Sequence, residues 1–315
     1  MRLPREILAR RTGLVFGLLA FGAFLSIATP PGTFLSGRNL LFVLLQISVN
    51  TILAAGMTAV ILSGGIDLSV GSVVALAGVV SADLAASGLP LPLAAAGGVG
   101  TGALLGLVNG ASVVYLRVAP FIATLAMMTA GRGLAYLYAD GVSIGDLPDG
   151  FLAWGTAPVP VLVAGAVVLG MFVLLRRTVL GRHVYAVGAS EEAARLSGVR
   201  TGRVKLAVYT IMGALAGLGG LLLAARLGAG DPKSGQLFEL TAIAAVVVGG
   251  TSLAGGRGGI AGTILGALII GVLDNGLVLL DVSAFYQMVV KGAVILGAVA
   301  LDRERGGSAG GGPPG

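Results

Sequence analysis

The sequence predicts an all-α, polytopic integral membrane protein with about ten transmembrane helices. Of its 315 residues, 56% are hydrophobic and 11% are charged, and the mean hydropathy is +0.99. Soluble domains carry about 25% charged residues, so this composition excludes a soluble globular protein. The apolar residues form runs close to the ~20 residues that one membrane crossing needs. These runs are 13–29, 40–62, 68–86, 91–115, 119–138, 158–175, 206–225, 238–253, 259–280 and 286–301.

The two shortest runs leave the number of crossings open. Residues 238–253 and 286–301 fall below the ~20 residues of a full span, so each could be a re-entrant or tilted element. Eight or nine full crossings are therefore alternatives to ten.

Lysine and arginine fall mainly on one side of this arrangement. With the N-terminus inside, fifteen of the twenty basic residues lie on the inner side, and the outer loops hold only Arg38, Arg226 and Lys233. Positive charge marks cytoplasmic loops. The sequence therefore predicts that both termini are cytoplasmic and that the number of crossings is even.

The predicted organisation is one membrane domain with short extensions. Residues 1–12 form a basic cytoplasmic N-terminus, residues 13–301 the transmembrane domain, and residues 176–205 its largest cytoplasmic loop. The tail 302–315 is rich in Gly and Pro and cannot bury a core, so we expect it to be disordered.

Several kinds of chemistry are excluded by composition. The chain has no cysteine and one histidine, His183, which argues against disulfides, metal sites, and Cys or Ser-His-Asp catalysis. It also lacks the G-x-x-x-x-G-K-[ST] phosphate loop, so we expect it to bind no ATP and no other cofactor. The net charge of +6 is distributed as membrane orientation requires, which argues against a nucleic-acid partner. We therefore predict no catalytic residue and no metal ligand.

Glycine is spaced every four residues in two of the runs. Such small-xxx-small stripes let helix backbones approach closely, so they predict packing seams. The stripes are Gly98, Gly102, Gly106 and Gly110 in the fourth run, and Gly258, Gly262 and Gly266 at the start of the ninth.

A short similarity between two parts of the sequence is consistent with an inverted five-plus-five repeat. Asn109-Gly110 lies about ten residues before Pro120-Phe121, and Asn275-Gly276 lies about as far before Phe285-Tyr286. In the predicted topology the two connections face opposite sides, as an inverted repeat requires.

Ionisable residues inside the predicted spans include Arg132, Asp274 and Lys291. Such groups line a polar path or pair with one another. Asp274 and Lys291 lie on adjacent runs and could pair, whereas Arg132 and Lys291 could equally extend to the membrane surface.

The central motif is the polar stretch Gly64-Gly65-Ile66-Asp67-Leu68-Ser69-Val70-Gly71-Ser72, which separates two apolar runs. Paired glycines release the backbone from helix, and Asp67 or Ser69 is then placed to cap the next helix. A charge at membrane depth costs at least ~2.5–3.5 kcal/mol. Asp67 is therefore either an N-cap at a tight connection or part of a broken helix that lines a polar path.

The segment from Ser190 to Gly198 predicts a short surface helix within the 176–205 loop. Ser190 is a good N-cap, Glu191 and Glu192 suit the first turn, and Gly198 suits the C-terminal end. An ordinary charged loop is the alternative that the spacing leaves open.

GGIDLSVGS resembles the signature of the inner-membrane permease subunits of ribose-type ABC sugar importers. Val118 to Leu125 is similar to the V-x-P-F-I-x-T-L motif of the same family, and the resemblance extends from about Asn39 to Leu301. For the signature and translocation path we expect Gly64, Gly65, Asp67, Ser69, Gly71, Asn109, Pro120, Phe121, Thr124 and Asn275.

The 176–205 loop resembles the coupling loop that docks on the ATP-binding subunit of these importers. Position 190 is Ser where the family commonly has Asn, and both residues cap helices. The coupling residues that the resemblance implies are Gly188, Ser190, Glu191, Glu192, Ala193, Ala194, Arg195, Leu196, Ser197 and Gly198.

The resemblance implies a non-enzymatic transport subunit for a ribose-like monosaccharide. Its implied partners are an ATP-binding subunit that holds ATP and Mg, an extracytoplasmic sugar-binding protein and a second copy of the chain, in the bilayer of the cytoplasmic membrane. Related permeases for nucleosides or branched-chain amino acids are the near alternative. An ion-coupled secondary transporter is a more distant one, since Asp67 is the one clear candidate for a coupling carboxylate.

Overall fold

The computed structural model describes residues 5–307. Within them the chain forms thirteen α-helices and one 3₁₀ turn, Ala153–Gly155. The helices are α1 (Arg5–Ala28), α2 (Gly37–Leu62), α3 (Val70–Ala86), α4 (Leu91–Val114), α5 (Pro120–Tyr138), α6 (Asp149–Leu152), α7 (Val159–Arg177), α8 (Val179–Ala189), α9 (Glu191–Leu196), α10 (Thr201–Leu227), α11 (Phe238–Val248), α12 (Ile260–Leu279) and α13 (Ala284–Gly307).

The prediction of an all-α, polytopic membrane protein is confirmed. Five helices among the described residues, α2, α4, α7, α10 and α12, are long and apolar enough to cross a membrane. Shorter apolar helices cover 12–28, α3 and α11.

The eighth predicted span, 238–253, is wrong as a continuous helix. Helix α11 has 11 residues, which at ~1.5 Å per residue spans about 16 Å, roughly half of the ~30 Å hydrocarbon layer. Residues 249–259 are not helical because glycines there adopt positive φ angles, among them Gly250 at 93° and Gly255 at 87°. The tenth run, 286–301, is by contrast part of the 24-residue helix α13.

The ends of the chain extend beyond the predicted domain limits. Helix α13 continues to Gly307, inside the segment 302–315 that we expected to be disordered. The remainder of that tail, and residues 1–4 of the basic N-terminus, lie outside the described residues.

The α4–α10 pair packs through glycine, as the first stripe predicts. A Cβ at Gly102 or Gly106 would meet the backbone of α10 at Gly213 or at the Tyr209 carbonyl. The second stripe also packs against backbone, since Gly266 lies against Ala245 of α11 and Gly262 against Gly249, the residue after that helix. Helices α2, α3, α4 and α10 form the centre of the bundle, and Ile52, Leu53, Leu62 and Leu221 there are fully buried.

The two in-span cations are both satisfied inside the protein. Lys291 lies 3.0 Å from Asp274, so the predicted pair is confirmed. Arg132 donates to the carbonyls of Pro232 at 2.6 Å and Ser234 at 2.7 Å. Both side chains therefore have partners within the protein, and 35% of the Lys291 side chain remains exposed.

Candidate functional site

The polar stretch forms a non-helical connection between α2 and α3. Helix α2 ends at Leu62, Gly64 has a φ of 81°, and α3 begins at Val70. A Cβ at Gly65 would stand 2.5 Å from the hydroxyl oxygen of Tyr209. The chain thus leaves the helix at the paired glycines as predicted, and Gly65 in addition allows a close contact that the sequence did not predict.

Asp67 is buried, with 2% of its surface exposed. Its Oδ1 accepts hydrogen bonds from the Ser69 backbone N–H at 2.9 Å and from the Ser69 hydroxyl at 2.6 Å. Ser69 is the N-cap residue of α3, yet its side chain makes no capping bond. The simple cap is therefore wrong, because the carboxylate of Asp67 fixes the residue in front of the helix rather than the N–H groups of its first turn.

Two further helices hold this connection through single polar side chains. Asn109 of α4 donates from Nδ2 to the Ser69 hydroxyl oxygen at 2.8 Å. Thr124 of α5 lies 3.2 Å from the carbonyl oxygen of Ile66, and also 2.9 Å from that of its own helix at Pro120. The predicted residues Gly65, Asp67, Ser69, Asn109 and Thr124 are thus brought into one cluster, named here the Asp67 cluster.

Tyr209 of α10 belongs to this cluster and escaped the sequence analysis. It is 1% exposed, and its hydroxyl lies 3.4 Å from the Ile66 carbonyl oxygen. The hydroxyl of a buried tyrosine usually has a hydrogen-bond partner. A tyrosine within an apolar run was therefore the sequence feature that could have identified this residue.

The other predicted path residues lie elsewhere. Gly71 packs against the Gly235 carbonyl and the Glu239 carboxylate. Pro120 is the first residue of α5, and Phe121 is 53% exposed. Asn275 exchanges two hydrogen bonds with Asn39 of α2, at 3.0 and 2.9 Å.

Glu239 is a second residue that the sequence analysis missed. Its carboxylate interacts with the backbone N–H of Gly71 at the start of α3 and with the charge of Arg132. An acid near a helix N-terminus stabilises the positive end of the helix dipole. Glu239 therefore contributes a second carboxylate near the start of α3, in addition to Asp67.

The short helix in the 176–205 segment is confirmed as α9. The Ser190 hydroxyl accepts the Ala193 N–H at 3.2 Å, and Gly198, with a φ of 83°, follows the helix. Glu191 forms an ion pair with Lys205 at 2.6 Å. Ala194 is buried, whereas Leu196 is 79% exposed, so α9 presents one large apolar side chain to its surroundings. Its exposed neighbours are Glu192, Ala193, Arg195 and Ser197.

Gly188 lies within α8, where it forms a backbone contact with the end of α2. A Cβ at Gly188 would collide with the Leu62 carbonyl oxygen, which also accepts the Gly256 N–H at 3.0 Å. A Cβ at Gly255 would lie 3.2 Å from the Cα of Gly64. Backbone thus packs directly against backbone at this point, without intervening side chains. The three segments that meet are α8, the turn after α2 and the 249–259 segment.

Among the described residues, no group of three or more His, Cys, Asp or Glu side chains could hold a metal ion.

The chain matches a family model over residues 39–299. That model is described as the permease component of the branched-chain amino acid transport system. The chain belongs to this permease family. The extent agrees with the resemblance predicted from Asn39 to Leu301.

The permease is also similar to proteins named for sugars. It is 46% identical to the ribose import permease protein of Bacillus subtilis, over 94% of each chain. It is 45% identical to that of Escherichia coli, over 92% of the permease and 93% of the relative. The xylose transport system permease protein of Escherichia coli is 38% identical over 87% of each chain. No solved structure matches the permease with significance.

Proposed function

We propose that this permease is the membrane subunit of an ABC importer that moves a ribose-like monosaccharide across the cytoplasmic membrane. Relatives that cover nearly the whole chain are named for ribose and xylose, which favours a sugar over the nucleosides and amino acids of the near alternative. ATP and Mg are bound and ATP is hydrolysed on a partner subunit. The chain itself carries no catalytic residue.

The observation that carries this proposal is the backbone contact at Gly188. Helices α8 and α9 are adjacent in sequence, and Gly188 of α8 lies against Leu62, five residues before Asp67. Motion imposed on α9 by an ATP-binding subunit therefore reaches the Asp67 cluster through packed backbone, which has little freedom to absorb it.

The partners follow from this arrangement. The ATP-binding subunit docks on α9, with Leu196 as the apolar anchor and Glu192 beside it. A sugar-binding protein delivers substrate at the opposite end of the bundle, and a second copy of the chain completes the importer.

The proposal includes ten crossings with both termini in the cytoplasm. Helix α11 and its non-helical flanks together form the eighth crossing, since a broken helix is tolerated at membrane depth where protein surrounds it. An inverted five-plus-five repeat fits the positions of Asn109 and Asn275. Each donates to a residue at or near the start of another helix, Ser69 or Asn39.

The docking role of α9 is tested by recovery of the ATP-binding subunit that co-purifies with the wild-type chain. We expect Leu196→Ser and Glu192→Lys each to weaken the association, by about 30-fold or more for a buried anchor, since such residues contribute ~2 kcal/mol or more. Lys205→Ala is the matched control. It breaks the ion pair with Glu191 but leaves the exposed face of α9 intact, so its complex should be recovered normally. Undiminished recovery of both docking variants would contradict the proposal.

A further inference from the structure

A small cavity lies between α2, α11 and α12, away from the Asp67 cluster. Its volume is about 10 Å³, enough for one water-sized group. Gln46 and Asn50 of α2, Thr241 of α11 and Asp274 of α12 line it, together with apolar side chains.

The cavity gathers hydrogen-bond acceptors that have no donor. Gln46 Oε1, Asn50 Oδ1 and Asp274 Oδ1 are buried and have no hydrogen-bond partner among the described residues. Thr241 cannot supply the missing donor, because its hydroxyl donates to the Leu237 carbonyl at 3.1 Å. A buried acceptor without a partner is strongly unfavourable. Three of them around one cavity indicate an occupant that donates hydrogen bonds.

The charge around the cavity argues against a metal cation as that occupant. The other carboxylate oxygen of Asp274, Oδ2, lies 3.0 Å from the Lys291 ammonium, so the charge of Asp274 is already balanced. A further cation would stand close to that ammonium group, with no additional negative charge to hold it. A neutral O–H donor avoids this repulsion: a water can donate to two of the three acceptors at a time, and a hydroxyl group to one.

We propose that Gln46, Asn50 and Asp274 form a hydroxyl-binding site on the sugar route. In the structure described here it has room for one water, and during transport a sugar hydroxyl takes the place of that water. This inference rests on the proposed function, since it requires a polyol to pass through the chain. Neutral solutes pass most readily when their binding contacts are weak and exchangeable, as amide oxygens provide.

One wall of the cavity is a short, discontinuous element. It is α11, an 11-residue helix with non-helical segments before and after it. Discontinuous helices form substrate sites in other transporters because the backbone N–H and C=O groups at their ends are free to bind the transported solute. The site therefore lies where the bundle has its least continuous element.

The site is tested with Gln46→Met and Asn50→Leu, which keep side-chain size and remove the acceptor. The complete importer in proteoliposomes is given ribose and each of the monodeoxy riboses. We expect ribose uptake by each variant to fall about fivefold to tenfold, the size of one hydrogen bond. For at least one deoxy analogue, the substitution should lower uptake much less than it lowers ribose uptake. The ratio of ribose uptake to uptake of that analogue is then smaller in the variant than in the wild type. The sugar-binding protein is the same in all arms, so its own selectivity cancels in this comparison.

Ser48→Ala is the matched control on the same helix. Ser48 is buried and its hydroxyl donates to the Leu45 carbonyl. The ratio of ribose uptake to deoxyribose uptake by Ser48→Ala should therefore equal that of the wild type. Equal losses for ribose and every deoxy analogue would show that the cavity holds water alone, and would overturn this inference. A wild-type importer that moves no monosaccharide would overturn the proposed function itself, so the two failures are distinguishable.

Discussion

Asp67 shows how a carboxylate is kept inside this bundle. Burial of an ionised carboxylate is unfavourable unless hydrogen bonds replace the lost water. Here two donors come from Ser69, and Asn109 in turn donates to the Ser69 hydroxyl. The order of the connection before α3 therefore depends on one acidic side chain.

The charge of Asp67 is tested by two substitutions. Asp67→Asn keeps an acceptor oxygen for Ser69, but it replaces a charge-assisted hydrogen bond by one about half as strong and brings an N–H₂ group into a buried place. We expect it to insert at normal abundance and to lower sugar uptake by about tenfold or more, an effect of ~1.4 kcal/mol. Asp67→Ala should lower uptake as well, and should also reduce folded yield. Full uptake by the Asn variant, at unchanged membrane abundance, would contradict the role assigned to the charge.

At the scale of helices, the α4–α10 contact packs backbone against backbone through glycine. A Cβ at Gly106 would meet the Tyr209 carbonyl oxygen and would lie 2.9 Å from the Gly213 Cα. These are backbone atoms, so they cannot move aside as a flexible side chain would. The same helix has an exposed glycine, Gly100, where a Cβ would meet nothing within 4 Å.

This pair of glycines gives a matched test of the seam. We expect Gly106→Ala to destabilise the protein by about 1–3 kcal/mol, the usual cost of overpacking. Gly100→Ala should be neutral or stabilising by up to ~1 kcal/mol, because alanine favours helix. Thermal unfolding of the two variants in detergent measures the difference. Equal midpoints would mean that the helices are not packed as described.

Local signals predicted most of the elements and only part of the site. The helix after Ser190 and the break at Gly64-Gly65 depend on neighbouring residues, so they are visible in the sequence. The contacts of Asp67 with Asn109 and Tyr209 join distant parts of the chain, and spacing alone does not identify such partners. The early end of α11 had a local signal in the glycines of 249–259, but the apolar run that continues through it outweighed that signal.

At the scale of the whole molecule, the connections between helices form two groups at opposite ends of the bundle. One group contains α8, the turn after α2 and the 249–259 segment, joined at Leu62, Gly188 and Gly256. The other contains the loops after α5 and α10, whose backbones pair at Ile144 and Gly230. The two groups are those that the distribution of Lys and Arg assigns to the inner and outer sides.

Reporter fusions test this orientation. A reporter fused after residue 305 should be found in the cytoplasm, and one inserted within 140–157 should be found outside, because positively charged loops stay inside. A reporter at residue 230 should agree with the second position, since Ile144 and Gly230 are paired. Fusions after residue 305 and within 140–157 that report the same side would contradict the topology.

The central claim is that this chain provides the route for a sugar and that the energy comes from a partner. Its most direct test is ribose uptake into proteoliposomes that contain the purified chain, with or without its ATP-binding subunit and sugar-binding protein. We predict uptake only when both partners and ATP are present, with no effect of proton or sodium gradients. Uptake by the chain alone, driven by an ion gradient and abolished by an uncoupler, would contradict the account and identify a secondary transporter.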